Sequence, residues 1–137
     1  MSEIESLFQP MTIRGRPVPN RIVMTPMTRS FSSDGILGED VAVYYQRPGD
    51  ADVSLLIAEG STIALGGASN DEKATNFRAE RTLKGWSCVA ETTHKTLAKI
   101  GLQLWHVDMM RQPGTGPFRS QFRQPIRPHP HRHPSAT

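Results

Sequence analysis

Six residues of this chain have types and positions suited to holding a flat, polar-edged ligand. Thr28, in the run Pro26-Met27-Thr28, follows a short apolar segment and carries a hydroxyl that both donates and accepts. Gly60, after Glu59, would let a planar group come close to the backbone because no Cβ stands in the way. Gln103 offers an amide that donates and accepts side by side, which suits a uracil-like ring edge. Trp105 supplies an aromatic wall two residues on, and Pro26 and Met27 precede Thr28 on the same approach. Taken alone, these residues also fit an ordinary barrel interior. Neither G-x-G-x-x-G nor G-x-x-x-x-G-K-[ST] occurs in the sequence, so no phosphate-binding fingerprint accompanies them.

Other reactive types have plainer readings. Cys88, the sole cysteine, sits in a helix-like segment and reads as a small core or boundary residue; no internal disulfide is possible. His94 reads as a solvent-facing helix residue and His106 as a structural strand-end residue. His129, His131 and His133 alternate with proline and arginine, a tract that gives at most an adventitious metal site, so no functional metal is expected.

The elements that must position these residues follow from apolar patterning. Three apolar runs, near 21–26, 53–58 and 100–106, are separated by helix-length segments. Pro26 closes the first run. Glu39 to Arg47 reads as a short helix ended by Pro48-Gly49. Ala79 to Lys99 reads as a longer one, with Leu83, Trp86, Ala90, Thr93 and Leu97 on a core-facing stripe. Before the first run, Met11 to Val18 suggests a hairpin turning at Gly15. The order strand–helix–strand–helix–strand predicts an α/β fold with parallel strands and right-handed crossovers, in which function collects at the carboxyl ends of the strands.

The chain has 137 residues. A complete (β/α)8 barrel needs roughly 250, so the prediction is an incomplete TIM barrel, the first three β/α units only. Residues 1–117 form that part and 118–137 a tail. The formal net charge is +3, but the tail holds Arg119, Arg123, Arg127 and Arg132 and no acid, leaving 12 basic against 13 acidic side chains, a net of −1, in the rest. The body therefore has no electrostatic footprint for nucleic acid or an anionic membrane. The tail, with Phe118, Phe122 and Ile126 as its large apolar side chains, is expected to be disordered because it buries too little to offset its ordering entropy. Its Arg/Pro/His vocabulary after Pro117 leads to the expectation of a gene-fragment end or a shifted reading frame. The amino terminus lacks an apolar signal region and no run reaches the length of a membrane span, so a cytoplasmic setting is expected.

The phrases Leu7-Phe-Gln-Pro10, Asn20-Arg-Ile-Val-Met-Thr-Pro-Met-Thr-Arg29, Tyr44-Tyr-Gln-Arg47, Ile57-Ala-Glu-Gly60 and Ile100-Gly-Leu-Gln-Leu-Trp-His106 occur in that order. Together they resemble the amino-terminal portion of the Old Yellow Enzyme family, FMN-dependent, NAD(P)H-using ene reductases on a β/α barrel, over about residues 5–117. The resemblance implies that Pro26, Met27 and Thr28 line the flavin, with the Thr28 hydroxyl near its pyrimidine carbonyl. It implies that the Gly60 backbone approaches the flavin, that Gln103 bonds its pyrimidine edge, and that Trp105 is a wall of the substrate pocket. Family members use FMN and NAD(P)H to reduce small activated alkenes. Their substrate-holding His/His or His/Asn pair, proton donor and phosphate grip belong to later segments, so no catalytic residue is assigned here. Asp108 stands where the family has a glycine, and Pro48-Gly49 where it usually continues Arg-Ala. Inactivity alone and self-association through an open sheet edge are the corresponding expectations. The alternative is a non-enzymatic remnant whose basic tail binds an acidic partner or nucleic acid, although the lack of interleaved Tyr or Trp makes nucleic acid a poor fit.

Overall fold

The computed structural model describes residues 3–63, 68–69 and 71–106. A five-residue helix α1 (Glu3–Leu7) leads into strands β1 (Met11–Ile13) and β2 (Arg16–Val18), an antiparallel pair with Ile13 opposite Arg16. The expected hairpin is present. Its two-residue turn, Arg14-Gly15, has positive φ at both positions (47° and 78°), as the turn matching the twist of a hairpin requires.

Three further strands, β3 (Val23–Met24), β4 (Leu55–Thr62) and β5 (Lys99–Trp105), form a parallel sheet in the order β3-β4-β5. Helices α2 (Glu39–Asp50) and α3 (Glu80–Thr93) make the two crossovers. The third strand is thus present, while whatever follows it, like the tail at 118–137 and the three tail histidines, lies outside the described residues. One face of the sheet packs on the helices. Leu56 and Ala58 of β4 join Val41, Ala42, Tyr45, Trp86 and Val89 in a buried cluster, with Met24, Ile100 and Leu102 packed against it.

The boundaries differ from the sequence expectations in ways that have physical causes. β3 pairs over two residues only, Val23 with Leu55 and Met24 with Leu56, before the chain leaves the ladder ahead of Pro26. β4 runs on through Glu59 and Gly60 to Thr62, so these residues lie within the strand and do not end it. α2 continues through Pro48 and Gly49 to Asp50. A proline in a last turn disturbs only the carbonyl four residues earlier, and the Pro48 carbonyl itself accepts the Val53 N–H at 2.9 Å. α3 stops at Thr93, where the Thr96 N–H and hydroxyl both turn back to the Thr93 carbonyl (3.0 and 2.7 Å).

The core stripe of α3 is Thr82, Trp86, Val89 and Thr93, rotated from the predicted one. Leu83 is 39% and Leu97 72% exposed. The rotation follows from what surrounds the helix: α3 packs on α2 on one flank, and no described element covers the other, where Leu83 and Ala90 face an open groove. The same rotation leaves Cys88 exposed, correcting its expected core or boundary position. His94 is exposed, as predicted.

Candidate flavin-ring site

β4 carries the decisive irregularity. Its register with β5 runs Leu55–Lys99, Leu56–Ile100, Ile57–Gly101 and resumes at Gly60–Gln103, so Ala58 and Glu59 together oppose Leu102. This is a β-bulge, one extra residue that shifts the alternation of side chains. Ile100 and Leu102 pack toward the helices, so alternation sends Gly101, Gln103 and Trp105 to the other face. The bulge brings Gly60 to that face as the partner of Gln103. With unbroken alternation Gly60 would share the helix side with Leu56 and Ala58.

On that face Trp105 lies against Gly60. A Cβ at residue 60 would come within 2.9 Å of the indole atoms Cδ2 and Cε3. The bare backbone of Gly60 is therefore a seat for a flat ring, and the chain's own indole rests on it. Gln103 is exposed beside it. Pro26, Met27 and Thr28 lie on the segment that leaves β3. Met27 is 63% exposed, Thr28 is exposed and Pro26 is partly covered.

A buried polar knot fixes how that segment meets β4. The Arg29 guanidinium donates through Nη2 to Glu59 Oε1 at 2.8 Å, and the Arg29 backbone N–H donates to Glu59 Oε2 at 3.2 Å. Glu59 is 1% exposed. The Arg29 guanidinium also lies 4.0 Å above the Tyr44 ring centre, a cation–π contact. Tyr45 completes the knot: its hydroxyl accepts the Glu59 N–H at 2.8 Å and donates to Glu59 Oε1 at 3.5 Å. Burial is the main cause that pushes the Tyr45 phenol well above its usual range, with the Glu59 charge adding to it against the opposing effect of the Glu59 N–H and Arg29. Since Thr28 precedes Arg29 and Gly60 follows Glu59, the two loop and strand positions expected to meet a flavin are one residue away from the same ion pair.

Sequence reasoning found Gly60, Gln103 and Trp105, which the structure brings together, and Pro26, Met27 and Thr28, which it puts on one adjoining segment. It missed Arg29, Glu59 and Tyr45 as a unit. The available signal was a carboxylate in the middle of an apolar strand, which requires a buried partner. Farther along β4, Ser61 and Thr75 hydroxyls bond at 2.8 Å, and the Thr75 carbonyl accepts the Thr62 N–H at 2.9 Å, which ties the segment around Thr75 to the strand end. Among the described residues no group of histidine, cysteine and carboxylate side chains forms a metal site.

Residues 6–115 match the model of the NADH:flavin oxidoreductase / NADH oxidase family. The chain belongs to this family. A flavin oxidoreductase from Emericella nidulans is 30% identical over 118 residues, covering 83% of this chain and 30% of the relative. An NADPH dehydrogenase from Bacillus subtilis is 32% identical over 102 residues, covering 73% of this chain and 30% of the relative. Among solved structures, morphinone reductase superposes with a TM-score of 0.75 at 30% identity, over 85% of this chain and 30% of that one. An Old Yellow Enzyme homologue from Zymomonas mobilis gives a TM-score of 0.69 at 28% identity, over 77% of this chain and 29% of that one. The family member therefore spans about a third of the length of these relatives, and its fold is an incomplete sector of the Old Yellow Enzyme barrel.

Proposed function

We propose that this family member is the ring-holding, amino-terminal part of an FMN-dependent NAD(P)H oxidoreductase that reduces activated C=C bonds of small molecules. The observation that carries the reading is the seat at Gly60. The bulge turns a bare backbone toward Gln103, and an aromatic ring already rests against it. A flat isoalloxazine fits this donor set: Gly60 admits the ring, the Gln103 amide meets the pyrimidine edge, and the Thr28 hydroxyl serves its carbonyl. Pro26 and Met27 line the approach, and Trp105, once off Gly60, walls the adjoining pocket. When bound, FMN supplies the relay of hydride from NAD(P)H to the β-carbon of the alkene. This chain's own contribution is to hold and orient the ring. The Arg29–Glu59 pair keeps the Thr28 segment and the Gly60 strand in one geometry.

These residues address the ring alone, and a ring held on one open face buries less than one in a closed pocket. FMN binding by this chain is therefore weak, and turnover requires the remainder of a barrel. FMN titration followed by flavin fluorescence tests the reading. Saturable quenching at high FMN, weakened several-fold by Gln103→Leu, is the expected result. Quenching that is absent, or indifferent to Gln103→Leu, overturns the assignment. Tight stoichiometric binding would instead show that the ring contacts suffice.

A further inference from the structure

The indole of Trp105 lies on the surface that the flavin reading gives to another flat ring. The three atoms nearest to a Cβ built on Gly60 all belong to Trp105: Cδ2 and Cε3 at 2.9 Å and Cγ at 3.1 Å. Gly60 is buried, whereas Gly101 and Gln103 on the same face of the sheet are exposed, and a Cβ on Gly101 would meet nothing within 4 Å. That face is thus open at Gly101 and Gln103 and covered at Gly60 by the chain's own aromatic side chain. We infer that Trp105 is an internal competitor for the ring site: its indole covers Gly60 in the chain without cofactor and must swing off before a flat ligand lies there. The inference rests on the reading of Gly60 and Gln103 as a flavin-ring site. It gives Trp105 a part in setting affinity, beyond that of a pocket wall.

The contact leaves room for one ring at a time. Carbon atoms in contact stand about 3.5–4.0 Å apart, so no layer fits between the indole and the Gly60 backbone. The backbones that carry the two residues are fixed. Trp105 pairs with Thr62 at the end of β5, and its carbonyl accepts the Ile63 N–H at 3.4 Å. The Gly60 carbonyl accepts the Thr75 hydroxyl at 3.3 Å. Uncovering Gly60 is therefore a side-chain rotation and needs no shift of either strand. Two χ1 rotamers are common in strands, which gives the indole a second position. Trp105 is half-buried and stands outside the buried core cluster, so the rotation leaves that core intact.

A covered site binds more weakly in proportion to the fraction of molecules that are open. With an open population of about 10%, the upper end for a minor state, apparent affinity falls about tenfold. Removing the indole returns that factor, whereas removing a mere wall of the site would weaken binding or leave it unchanged. The two roles for Trp105 thus differ in sign.

The test uses the full chain, FMN and two readouts. Before FMN is added, nuclear Overhauser contacts should join the Gly60 Hα protons to the Trp105 indole protons, and these contacts should vanish as FMN saturates. Flavin-fluorescence titration should give Trp105→Ala a dissociation constant lower by up to about tenfold. Contacts that are missing without FMN, or that persist at saturation, overturn the inference. So does a folded Trp105→Ala that binds FMN no more tightly than the natural chain, an outcome that leaves the flavin-ring site standing. FMN that binds neither chain overturns the flavin-ring reading itself and this inference with it. If Trp105→Ala loses its native circular dichroism, the Overhauser contacts in the natural chain decide alone.

Discussion

The carboxyl half of β4 and the outer face of β5 are neighbours in one sheet and are finished in opposite ways. Around Glu59 every charge has an answer: Arg29 pairs with it twice, Tyr45 serves both its backbone and its carboxylate, and Tyr44 stacks under the guanidinium. Beside β5, large apolar side chains are left exposed, Leu104 at 65% and Phe77 and Leu83 at about 40%. The contrast shows which contacts this stretch of sequence completes by itself. The knot is assembled from residues 29 to 59, all within the first crossover and the strand it leads into. The open flank is where a barrel places its next unit, and this sector has no described element there.

That contrast can be broken most forcefully at Glu59. Glu59→Ala leaves the Arg29 charge mostly buried without its carboxylate, and loss of one partner of such a pair costs about 3–5 kcal/mol. Urea unfolding followed by circular dichroism should show the variant largely unfolded. A near-native midpoint would mean the pair contributes little.

Tyr45→Phe removes an acceptor from the buried Glu59 N–H, at about 1–3 kcal/mol. It should also change the alkaline limb of stability. The folded-state phenol is raised above its ordinary value of 10.0. The native state therefore holds that proton more tightly than the unfolded chain. This contribution is complete below pH 10 and is lost as pH rises above it. Unfolding midpoints across pH 9–11.5 should fall more steeply for the natural sequence than for Tyr45→Phe, and parallel curves would refute the assignment.

Gly60→Ala tests the seat. The added methyl meets the Trp105 ring at 2.9 Å, and overpacking of this kind costs about 1–3 kcal/mol. Trp105 must shift, so its near-ultraviolet dichroism should change together with the midpoint.

The smallest effect on stability belongs to the open flank. Leu104→Lys replaces an exposed side chain on an edge strand and should leave stability within about 0.5 kcal/mol. Charge on an edge discourages pairing with other chains, so sedimentation should show less self-association. Unchanged association would place the sticky surface elsewhere.

The parallel strand–helix rhythm was legible because buried parallel strands are apolar on both faces, as Leu55 to Ala58 is, and because long segments separate them. The families of contacts that depend on a neighbour were not. The stripe of α3 could be read as Leu83-Trp86-Ala90 or as Thr82-Trp86-Val89, and the choice was made by α2 on one side and the uncovered groove on the other. Gly60, Gln103 and Trp105 were legible as types. Their meeting depends on the bulge at Ala58–Glu59, and a single extra residue inside an apolar run leaves no mark on hydrophobicity. The knot was hidden for a related reason: Arg29 and Glu59 are 30 residues apart, and only the fold makes them adjacent.

The bulge also acts as a phase change written into β4. Before it, the even positions Leu56 and Ala58 serve packing; after it, even-numbered Gly60 serves the opposite face. One strand therefore holds two reading frames of in and out, joined at Glu59. Deleting Glu59 would merge them into one regular ladder, with Ala58 alone opposite Leu102 and Gly60 still opposite Gln103, and would leave Arg29 to find another anchor.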